Sequence, residues 1–376
     1  MTKILFTASR QSHFNQFHLP YLEYYSKKGF KVFTAAQGEA NYSFDAKHYN
    51  IEFYKGKPWK NLKTVFAVKK IIRTEKIDVV ISNATLAGIV TRLAVLFCAR
   101  KPVVIHSCHG YLFSKNTPKL KKAIMLFIEK FFAPITKLCI TMNYEDFEAA
   151  EKHKLGKIVR NIPGIGIKPY NAKNYTAEEI IKAKKAILGN FYNDSNVLYF
   201  VYAAEFSKRK NQQQLFEYFL PLLRQNPDWV LILAGTGSEW QNIQNQVLQE
   251  NMQNQVILPG FVKNIDELLT FCNFVVSFSK SEGLPFNLME AMQHKKPVIA
   301  SRVKGHSDLI EDGENGFLFN LDNFDEFKEK IEKIARNTSL QKDFAEKSSQ
   351  KVAFFELNNV FDQIIKTYTL ADGRLE

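Results

Sequence analysis

The sequence predicts an α/β protein in which two doubly wound, Rossmann-like domains face each other across a cleft. Short apolar runs alternate with amphipathic stretches of about 10–15 residues, a pattern typical of βαβ units with parallel strands. The apolar runs are nearly continuous, as expected for strands that are buried on both faces. The chain has 376 residues, and because a single core stops growing at roughly 250–300 residues, we expect two domains.

Five apolar runs in each half predict strands. The predicted strands are 3–8, 31–35, 78–82, 102–106 and 137–142, and then 198–203, 230–234, 255–258, 274–278 and 297–300. Amphipathic patterns predict helices over 17–28, ahead of Gly29, and over 61–75.

A linker is predicted between the two halves. Residues 161–169 contain two prolines and two glycines, a composition typical of domain boundaries. We therefore predict an N-terminal domain over 1–165 and a second domain over 170–350. The last residues, 371–376, have the character of an expression-vector scar and are excluded from the functional argument.

The composition is that of an ordinary globular protein. Hydrophobic residues make up 45% and charged residues 24% of the chain, which excludes disordered and fibrous classes. The four irregularly spaced cysteines predict neither a disulfide framework nor a zinc site, and they fit a reducing cytosol. No run reaches the roughly 18–20 apolar residues that span a bilayer, and no signal-peptide pattern is present. A soluble, cytoplasmic protein is expected.

Charge is distributed unevenly. Residues 1–168 hold 28 basic and 11 acidic residues, whereas the remainder holds 23 and 27. A basic half indicates nucleic acid, an anionic membrane surface or a phosphorylated substrate as partner, or else only a solvated face. Nothing resembles a nucleic-acid module, so nucleic acid is not expected. The segment 115–137 interleaves lysines with apolar residues, which predicts either an amphipathic helix on an anionic membrane or a buried helix with a lysine rim.

The stretch 279–292, SKSEGLPFNLMEAM, follows a predicted strand and opens a predicted helix. Gly283 permits a sharp backbone path, and Pro285 suits a first helical turn. The next N–H groups would bind an anion or a hydroxyl at the helix N-terminus. Glu282 and Glu290 could both reach that ligand. The alternative is one carboxylate that stabilises the helix dipole and one that is solvated.

Three further motifs follow predicted strands of the second half. The cations Lys208, Arg209 and Lys210 are suited to a diphosphate, and the Gly-Thr-Gly at 235–237 permits close approach of a nucleotide, although this motif is weak alone. The third motif is PGFV at 259–262. Because ligands of open α/β sheets bind at the carboxyl ends of the strands, these motifs predict one shared site.

These residues resemble the retaining glycosyltransferases of family 4, which have the GT-B fold. The resemblance covers the E-x7-E pair Glu282 and Glu290 with the phrases PGFVKNIDELL, EGLPFNLMEAM, KPVIAS and DGENGFLF. The first half, with HGYLF, ITMNYEDFEAA and IPGIGI, resembles the bacterial exopolysaccharide, capsule and lipopolysaccharide branch. The resemblance implies that the first domain binds the acceptor, that the second binds a nucleotide sugar, and that a C-terminal helix at about 353–370 crosses back onto the first domain.

The resemblance also implies roles. Glu290 would hold the ribose hydroxyls, Glu282 would contact sugar hydroxyls, and Lys210 with Arg209 would neutralise the departing diphosphate. His109 would contact the donor sugar. The implied catalytic residues are thus Glu282, His109 and Lys210, and the other implied donor-binding residues are Gly235, Phe261, Val262, Gly283, Phe286, Asn287 and Leu288.

Other positions receive weaker assignments. Arg10 and His13 are predicted on the acceptor side, whereas His18 is predicted to pack. Glu205 stands where the family usually has an arginine, so no binding role is assigned to it. Among the remaining histidines, His106 is predicted to end a buried strand, and the others are predicted at the surface or in loops: His48, His153, His294 and His306.

The implied activity is retaining transfer of a hexose or N-acetylhexosamine from a UDP-sugar to a polyprenyl-diphosphate-linked or growing bacterial surface glycan. The sequence shows neither an Asp-x-Asp motif nor a His/Cys ligand cluster, so no metal site is expected, and cations and amides are expected to replace a metal. Transfer is therefore expected to be metal-independent, and no cofactor is expected. Peripheral attachment to the inner face of the cell membrane is also expected. Three alternatives remain open: transfer to a small soluble acceptor, a UDP-sugar 2-epimerase of the same fold, and an inactive sugar-nucleotide-binding protein.

Overall fold

The structure is a computed structural model that describes residues 1–170, 175–189 and 197–376. The chain divides into two compact units. The first comprises Met1–Ile167 together with Phe355–Glu376, and the second comprises Lys168–Phe354. Each unit is built around one parallel sheet flanked by helices, so the predicted pair of Rossmann-like domains is confirmed.

The first unit contains a seven-stranded parallel sheet with the order β3-β2-β1-β4-β5-β6-β7. Its strands are β1 Lys3–Arg10, β2 Lys31–Gln37, β3 Ala46–Asn50, β4 Val79–Asn83, β5 Val103–Ser107, β6 Leu138–Thr141 and β7 Ile158–Asn161. The five predicted strands are all present, within two residues at each end. The two additional strands, β3 and β7, form the edges of the sheet.

Helices of the first unit follow the strands. They are α1 Gln11–His13, α2 Leu19–Lys27, α3 Asn61–Glu75, α4 Thr85–Leu96, α5 Lys119–Phe132, α6 Tyr144–Lys152 and, at the C-terminus, α15 Leu357–Thr369. A π-helix spans Phe14–His18, and short 3-10 turns span Pro58–Lys60, Ala133–Ile135, Ala353–Phe355 and Gly373–Leu375. The helix predicted over 17–28 therefore begins earlier, as α1 and a π turn.

The second unit contains a six-stranded parallel sheet with the order β10-β9-β8-β11-β12-β13. Its strands are β8 Leu198–Ala203, β9 Trp229–Ala234, β10 Val256–Gly260, β11 Phe274–Ser277, β12 Val298–Ser301 and β13 Phe317–Phe319. Its helices are α7 Ala177–Leu188, α8 Gln212–Gln225, α9 Trp240–Gln249, α10 Ile265–Phe271, α11 Phe286–Gln293, α12 His306–Leu309, α13 Phe324–Ala335 and α14 Thr338–Val352. The edge strand β13 was not predicted.

The C-terminal helix α15 belongs to the first unit. The backbone of Ile167 accepts a hydrogen bond from Leu357 at 2.7 Å and donates one to Phe355 at 2.9 Å. Gly166, at φ +83°, lies against this junction, and a Cβ there would come within 2.6 Å of the Leu357 Cα. Phe361 stacks on Tyr21 with ring centroids 5.1 Å apart. The predicted return of this helix to the first domain is confirmed.

The terminal residues 371–376, predicted as a vector scar, pack in the structure. Leu375 is buried, and the Arg374 guanidinium lies 2.5 Å from a carboxylate oxygen of Asp372 and 3.9 Å from one of Asp78. The origin of this segment stays a prediction.

A buried ion pair attaches α5 to α4. The Arg92 guanidinium contacts the Glu129 carboxylate at 2.8 Å, with side chains 0% and 4% exposed. Arg92 also donates to the Gly88 carbonyl at 3.0 Å and lies over the Phe132 ring at 4.8 Å from its centroid. Only Glu129 and Phe132 of α5 are buried. Met125 and Leu126 of the same helix pack half-buried against the core, so α5 has one packed side and one exposed apolar side.

Candidate functional site

The candidate site of the second unit lies at the carboxyl ends of its strands. The loops after β8, β11 and β12 meet there, because those strands are neighbours in the sheet. The backbone N–H of Lys280 donates to the carbonyl of Arg209 at 2.8 Å, which joins the loop after β11 to the loop after β8. This contact brings the cationic run 208–210 to the Glu282 loop, as the sequence predicted from strand ends alone.

Glu282 is the centre of this site. Its carboxylate contacts Lys210 Nζ at 2.7 Å and an Arg209 guanidinium nitrogen at 2.6 Å, and it accepts from Ser279 Oγ at 2.6 Å. The Glu282 side chain is 8% exposed. Burial opposes its negative charge, but Lys210 and Arg209 outweigh burial and lower the Glu282 pKa to about 2. The carboxylate is therefore charged throughout the neutral range, and the residue contributes to stability above its unfolded pKa and loses that contribution as pH falls toward 2.

Buried hydroxyls and one histidine hold the Glu282 loop in place. Ser279 Oγ lies 2.8 Å from the Tyr202 hydroxyl, and the Ser279 carbonyl accepts from Ser301 Oγ at 2.6 Å. His306 lies against this loop, with Nδ1 3.1 Å from Ser301 Oγ and Nε2 3.1 Å from Ser277 Oγ. Burial lowers the His306 pKa to about 4, so its imidazole is neutral.

The prediction that His306 lies at the surface or in a loop is wrong. It is buried and begins α12. Gly305, at φ +82°, precedes it, and a Cβ on Gly305 would approach the Glu282 Cβ at 2.8 Å. The KG-H-x-D run at 304–308 was the available signal, since a glycine before a short helix marks close backbone approach. The supporting residues Tyr202 and Ser277 lay inside predicted strands and Ser301 directly after one, so the strand patterns did not distinguish them from core residues.

Helix α11 begins at Phe286, one residue later than Pro285, which occupies the N-cap position. The first hydrogen bond of the helix runs from Met289 N–H to the Pro285 carbonyl, so the amides of Asn287 and Leu288 precede the intrahelical ladder. The Asn287 side chain donates to the Ala203 carbonyl at 3.2 Å, at the end of β8. The helix N-terminus thus adjoins the strand that precedes the cationic run.

Glu290 lies about one turn along α11 and differs from Glu282 in its electrostatic surroundings. Burial, and secondly the negative charge of Asp266, raise the Glu290 pKa to about 7. Near neutral pH this carboxyl is therefore divided between its protonated and charged forms. The two glutamates have pKa values displaced in opposite directions, which is typical of functional sites.

The Gly-Thr-Gly turn has a structural explanation that the sequence interpretation missed. Gly235 and Gly237 have φ of +141° and +155°, and a Cβ on them would overlap the carbonyl oxygens of Ala204 and Phe206. The turn therefore needs glycine because it packs against the loop after β8. Phe261 is exposed, Val262 is half-buried and Glu205 is exposed. Gly235, Phe261 and Val262 stay predicted donor contacts.

The acceptor-side predictions fall in the first unit. Arg10 is exposed and, with Gln11 and Glu39, lines a shallow cavity of about 310 Å³. His13 and His109 lie together, with ring centroids 4.8 Å apart, and His18 joins them at 5.1 Å from His13 and 5.5 Å from His109. His18 is fully buried, as predicted. His106 is the second-last residue of the buried strand β5, and its Nδ1 lies 3.1 Å from Ser82 Oγ.

Two family models match the chain. The model described as glycosyl transferases group 1 matches residues 184–351, which hold the Glu282 site, and the model described as glycosyltransferase family 4 matches residues 21–153. The chain is a family 4 glycosyltransferase. The sequence resemblance and the enzyme class that it implied, a hexosyltransferase, are thereby confirmed.

Relatives of this glycosyltransferase include named bacterial enzymes. EpsD of Bacillus subtilis, which is named as a glycosyltransferase, is 28% identical over 371 residues, 98% of this chain and 96% of EpsD. The UDP-Gal:alpha-D-GlcNAc-diphosphoundecaprenol alpha-1,3-galactosyltransferase of Escherichia coli is 26% identical over 280 residues, 71% of this chain and 69% of that enzyme. Anabaena HepE, solved in complex with UDP-glucose, has a TM-score of 0.77 at 19% identity and covers 98% of this chain and 100% of its own, which shows a shared fold.

Proposed function

We propose that this glycosyltransferase moves a hexose or N-acetylhexosamine from a UDP-sugar to a lipid-linked or growing bacterial surface glycan, with retention of anomeric configuration and without a metal on the diphosphate. The observation that carries the proposal is the buried Glu282 carboxylate, paired with Lys210 and Arg209 beside the N-terminus of α11. The arrangement places two cations, the first backbone amides of α11 and a buried carboxylate at the carboxyl ends of the strands, where the carboxylate would contact sugar hydroxyls.

The choice of uridine is supported by the relatives. The Escherichia coli relative is named for a UDP-Gal donor, and HepE was solved with UDP, with UDP and glucose, and with UDP-glucose. In this chain Glu290 would accept hydrogen bonds from the two ribose hydroxyls. A carboxylate suits that role because it offers two acceptor oxygens to a pair of hydroxyl donors.

The ion pairs of Glu282 suggest how donor binding proceeds. An incoming diphosphate carries more negative charge than one carboxylate and would draw Lys210 and Arg209 toward itself. Glu282 would then be available to sugar hydroxyls, while the cations stabilise the charge that develops on the leaving diphosphate. With no carboxylate assigned as nucleophile, retention would require a front-face displacement in which the departing phosphate accepts the proton of the acceptor hydroxyl.

A membrane-bound acceptor is supported by the surface of α5. Four apolar residues of this helix at helical spacing, Leu120, Ile124, Phe127 and Phe131, are 50–76% exposed. Beside them lies an apolar groove of about 550 Å³, whose lining includes Leu62, Val65, Leu86, Phe127 and Phe131. Among the described helices, none has the length and apolar character needed to cross a bilayer.

Lysines border the apolar residues of α5. Lys119, Lys121 and Lys122 stand at the start of the helix, where Lys119 and Lys121 are exposed and Lys122 is half-buried. An apolar stripe edged by lysines is the pattern of a helix that lies in the interface of an anionic membrane. We propose that the protein is cytoplasmic and attaches peripherally to the inner face of the membrane through this surface, where a polyprenyl-diphosphate acceptor would be presented.

Lys210→Ala and Glu282→Gln should each lower the turnover of UDP-sugar by roughly 10²–10³-fold, because each removes a charge that acts on the reacting groups. Lys342→Ala is the matched control, because this lysine is exposed on α14 of the same unit and lies outside the site. The measurement is steady-state transfer from a UDP-sugar panel, with and without acceptor. Near-normal turnover in either site variant contradicts the assignment, and UDP-sugar interconversion without acceptor would indicate the epimerase instead.

Binding of UDP-glucose should strengthen as pH rises from 6 to 8. The Glu290 pKa of about 7 means that most of this carboxyl is protonated at pH 6 and charged at pH 8, so its capacity to accept both ribose hydroxyls grows by about tenfold. UDP-glucose is the probe because its phosphodiesters do not titrate in this range. Calorimetric affinities should lose the pH dependence in Glu290→Gln, and an unchanged slope in that variant would assign the dependence to another group.

Transfer should continue after dialysis against EDTA with no added Mg²⁺. The physical reason is that fixed cations and helix amides take the part of a metal at the diphosphate. Initial rates before and after dialysis, with Mg²⁺ added back to half of each sample, provide the measurement. A loss of rate that Mg²⁺ restores would refute this part of the proposal.

The combined variant Lys119→Glu, Lys121→Glu, Lys122→Glu should bind vesicles containing phosphatidylglycerol at least about 100-fold more weakly, because each lysine near an anionic surface contributes about 1 kcal/mol. Phe127→Asp should weaken the same binding, because it replaces an exposed apolar side chain that would enter the membrane interface with a negative charge. Charge reversal at Lys182, Lys333 and Lys342, which are exposed in the second unit, is the matched control. Vesicle sedimentation is the measurement, and equal binding by the two triple variants would exclude α5 as the membrane surface.

A further inference from the structure

Three histidines of the first unit form a cluster that the predicted chemistry does not require as a group. One ring nitrogen from each of His13, His18 and His109 lies within 4.8 Å of the other two. Only His13 and His109 had been assigned roles from the sequence, and those roles were separate. In the sequence, His109 is far from the other two, so no local motif indicated the cluster.

The backbone explains why two of these side chains meet. His13 and His18 are five residues apart, a spacing that an α-helix would place on different faces. The π-helix at Phe14–His18 adds one residue to the turn, and the N–H of Leu19 donates to the Phe14 carbonyl five residues back. Pro20 follows at once and has no N–H to continue an α-helical ladder. A π turn of this kind is frequent at functional sites.

The third histidine comes from the sheet. His109 follows β5, two residues after its last residue Ser107, and thus lies at the carboxyl end of a strand. His13 follows β1 at the corresponding end of the same sheet. Because β1 and β5 are both neighbours of β4, the loops after them can bring these residues together from distant parts of the chain.

Four of the six ring nitrogens of the cluster are buried without a hydrogen-bond partner. These nitrogens are His13 Nε2, both ring nitrogens of His18, and His109 Nε2. His18 is 0% exposed. An unsatisfied buried polar group costs free energy and calls for an explanation such as a bound ion.

The packing of the three rings favours a cation over an anion as the ligand. The ring centroids of His13, His18 and His109 lie 4.8–5.5 Å apart, and His18 is buried. Binding an anion would need adjacent imidazoles to carry like charges at this short separation, which is unfavourable away from water. A metal ion uses the lone pairs that neutral imidazoles already offer.

We propose that His13, His18 and His109 form a three-histidine site for a divalent transition-metal ion of the Zn²⁺ and Co²⁺ class. Three neutral imidazoles are a ligand set that such ions favour, whereas Mg²⁺ favours oxygen ligands. Bonds of about 2.0–2.1 Å in tetrahedral geometry put ligand nitrogens about 3.4 Å apart. Because the three nitrogens already lie within 4.8 Å of one another, binding requires them to approach by at most about 1.4 Å. The fourth position stays open to water or to a hydroxyl.

This site is separate from the cations proposed for the diphosphate, which are Lys210 and Arg209 of the second unit. It does not rest on the identity of donor or acceptor. The two metal tests can also be told apart. The EDTA experiment measures whether Mg²⁺ restores transfer, whereas the histidine site is measured by binding of Zn²⁺ or Co²⁺.

The test is metal binding by untagged, chelator-stripped protein. Titration with Co²⁺ should give one ion per chain with the visible d–d absorption of a tetrahedral site, and Zn²⁺ should displace it. His18→Asn should weaken Co²⁺ binding by more than the roughly 10–100-fold that loss of an outer-shell partner costs. His13→Asn, at a half-buried position, provides a second variant if His18→Asn fails to fold. His153→Asn, a histidine outside the cluster, is the matched control and should bind as the unaltered protein does.

Two results would overturn the proposal. One is the absence of stoichiometric Co²⁺ binding in the folded protein. The other is tetrahedral Co²⁺ absorption that persists in both cluster variants or disappears in His153→Asn. In either case the unpartnered imidazole nitrogens would be assigned to hydrogen bonds with substrate hydroxyls, and the affinity of the two cluster variants for UDP-glucose and acceptor would measure that role.

Discussion

The site of the second unit depends on neutralising one buried carboxylate. Glu282 is almost entirely removed from water, and a buried charge is tolerated only where cations and hydrogen-bond donors surround it. Lys210, Arg209 and Ser279 meet that need. Because these partners come from the loops after β8 and β11, satisfying this one charge fixes the relative positions of both loops. The hydroxyl network under Ser279, which extends to His306, then has a definite structure to support.

The core of each sheet could be predicted from the sequence because buried parallel strands are continuous apolar runs. VLYFVYA and WVLILA show this in the second unit. Edge strands carry a weaker signal. β3, AKHYN, is largely polar, and β7 and β13 have only four and three residues. β3 has one neighbour and partly exposed residues, so it is under less pressure to be apolar. β13, FLF, is buried and apolar, but three residues are too few to mark a strand.

The ion-paired residues of the candidate site could be predicted because each lies in a local motif at a strand end. What the sequence did not reveal were partners chosen by the tertiary fold. Tyr202 and Ser277 are inside strands, and His306 has no distinctive neighbours except Gly305. The Gly-Thr-Gly turn was interpreted through its resemblance to nucleotide loops, whereas its glycines accommodate the backbone of residues 204–206. Local patterns identify which residues can react, but packing decides what surrounds them.

The rotation of helix α5 about its own axis is set by a buried polar contact rather than by burial of all its apolar residues. In most helices a broad apolar stripe determines rotation about the helix axis. In α5 four apolar residues face outward, and the inward side holds the Arg92–Glu129 pair and Phe132 together with the half-buried Met125 and Leu126. Because apolar residues lie on both sides of α5, hydrophobic burial alone would not fix its rotation about the helix axis. The exposed leucine and phenylalanine side chains could equally be turned inward. The single directional contact between guanidinium and carboxylate removes that freedom, because rolling the helix would leave both charges buried and unpaired. The ion pair therefore fixes the rotation of α5 about its axis, and it keeps four apolar side chains of α5 exposed at the surface.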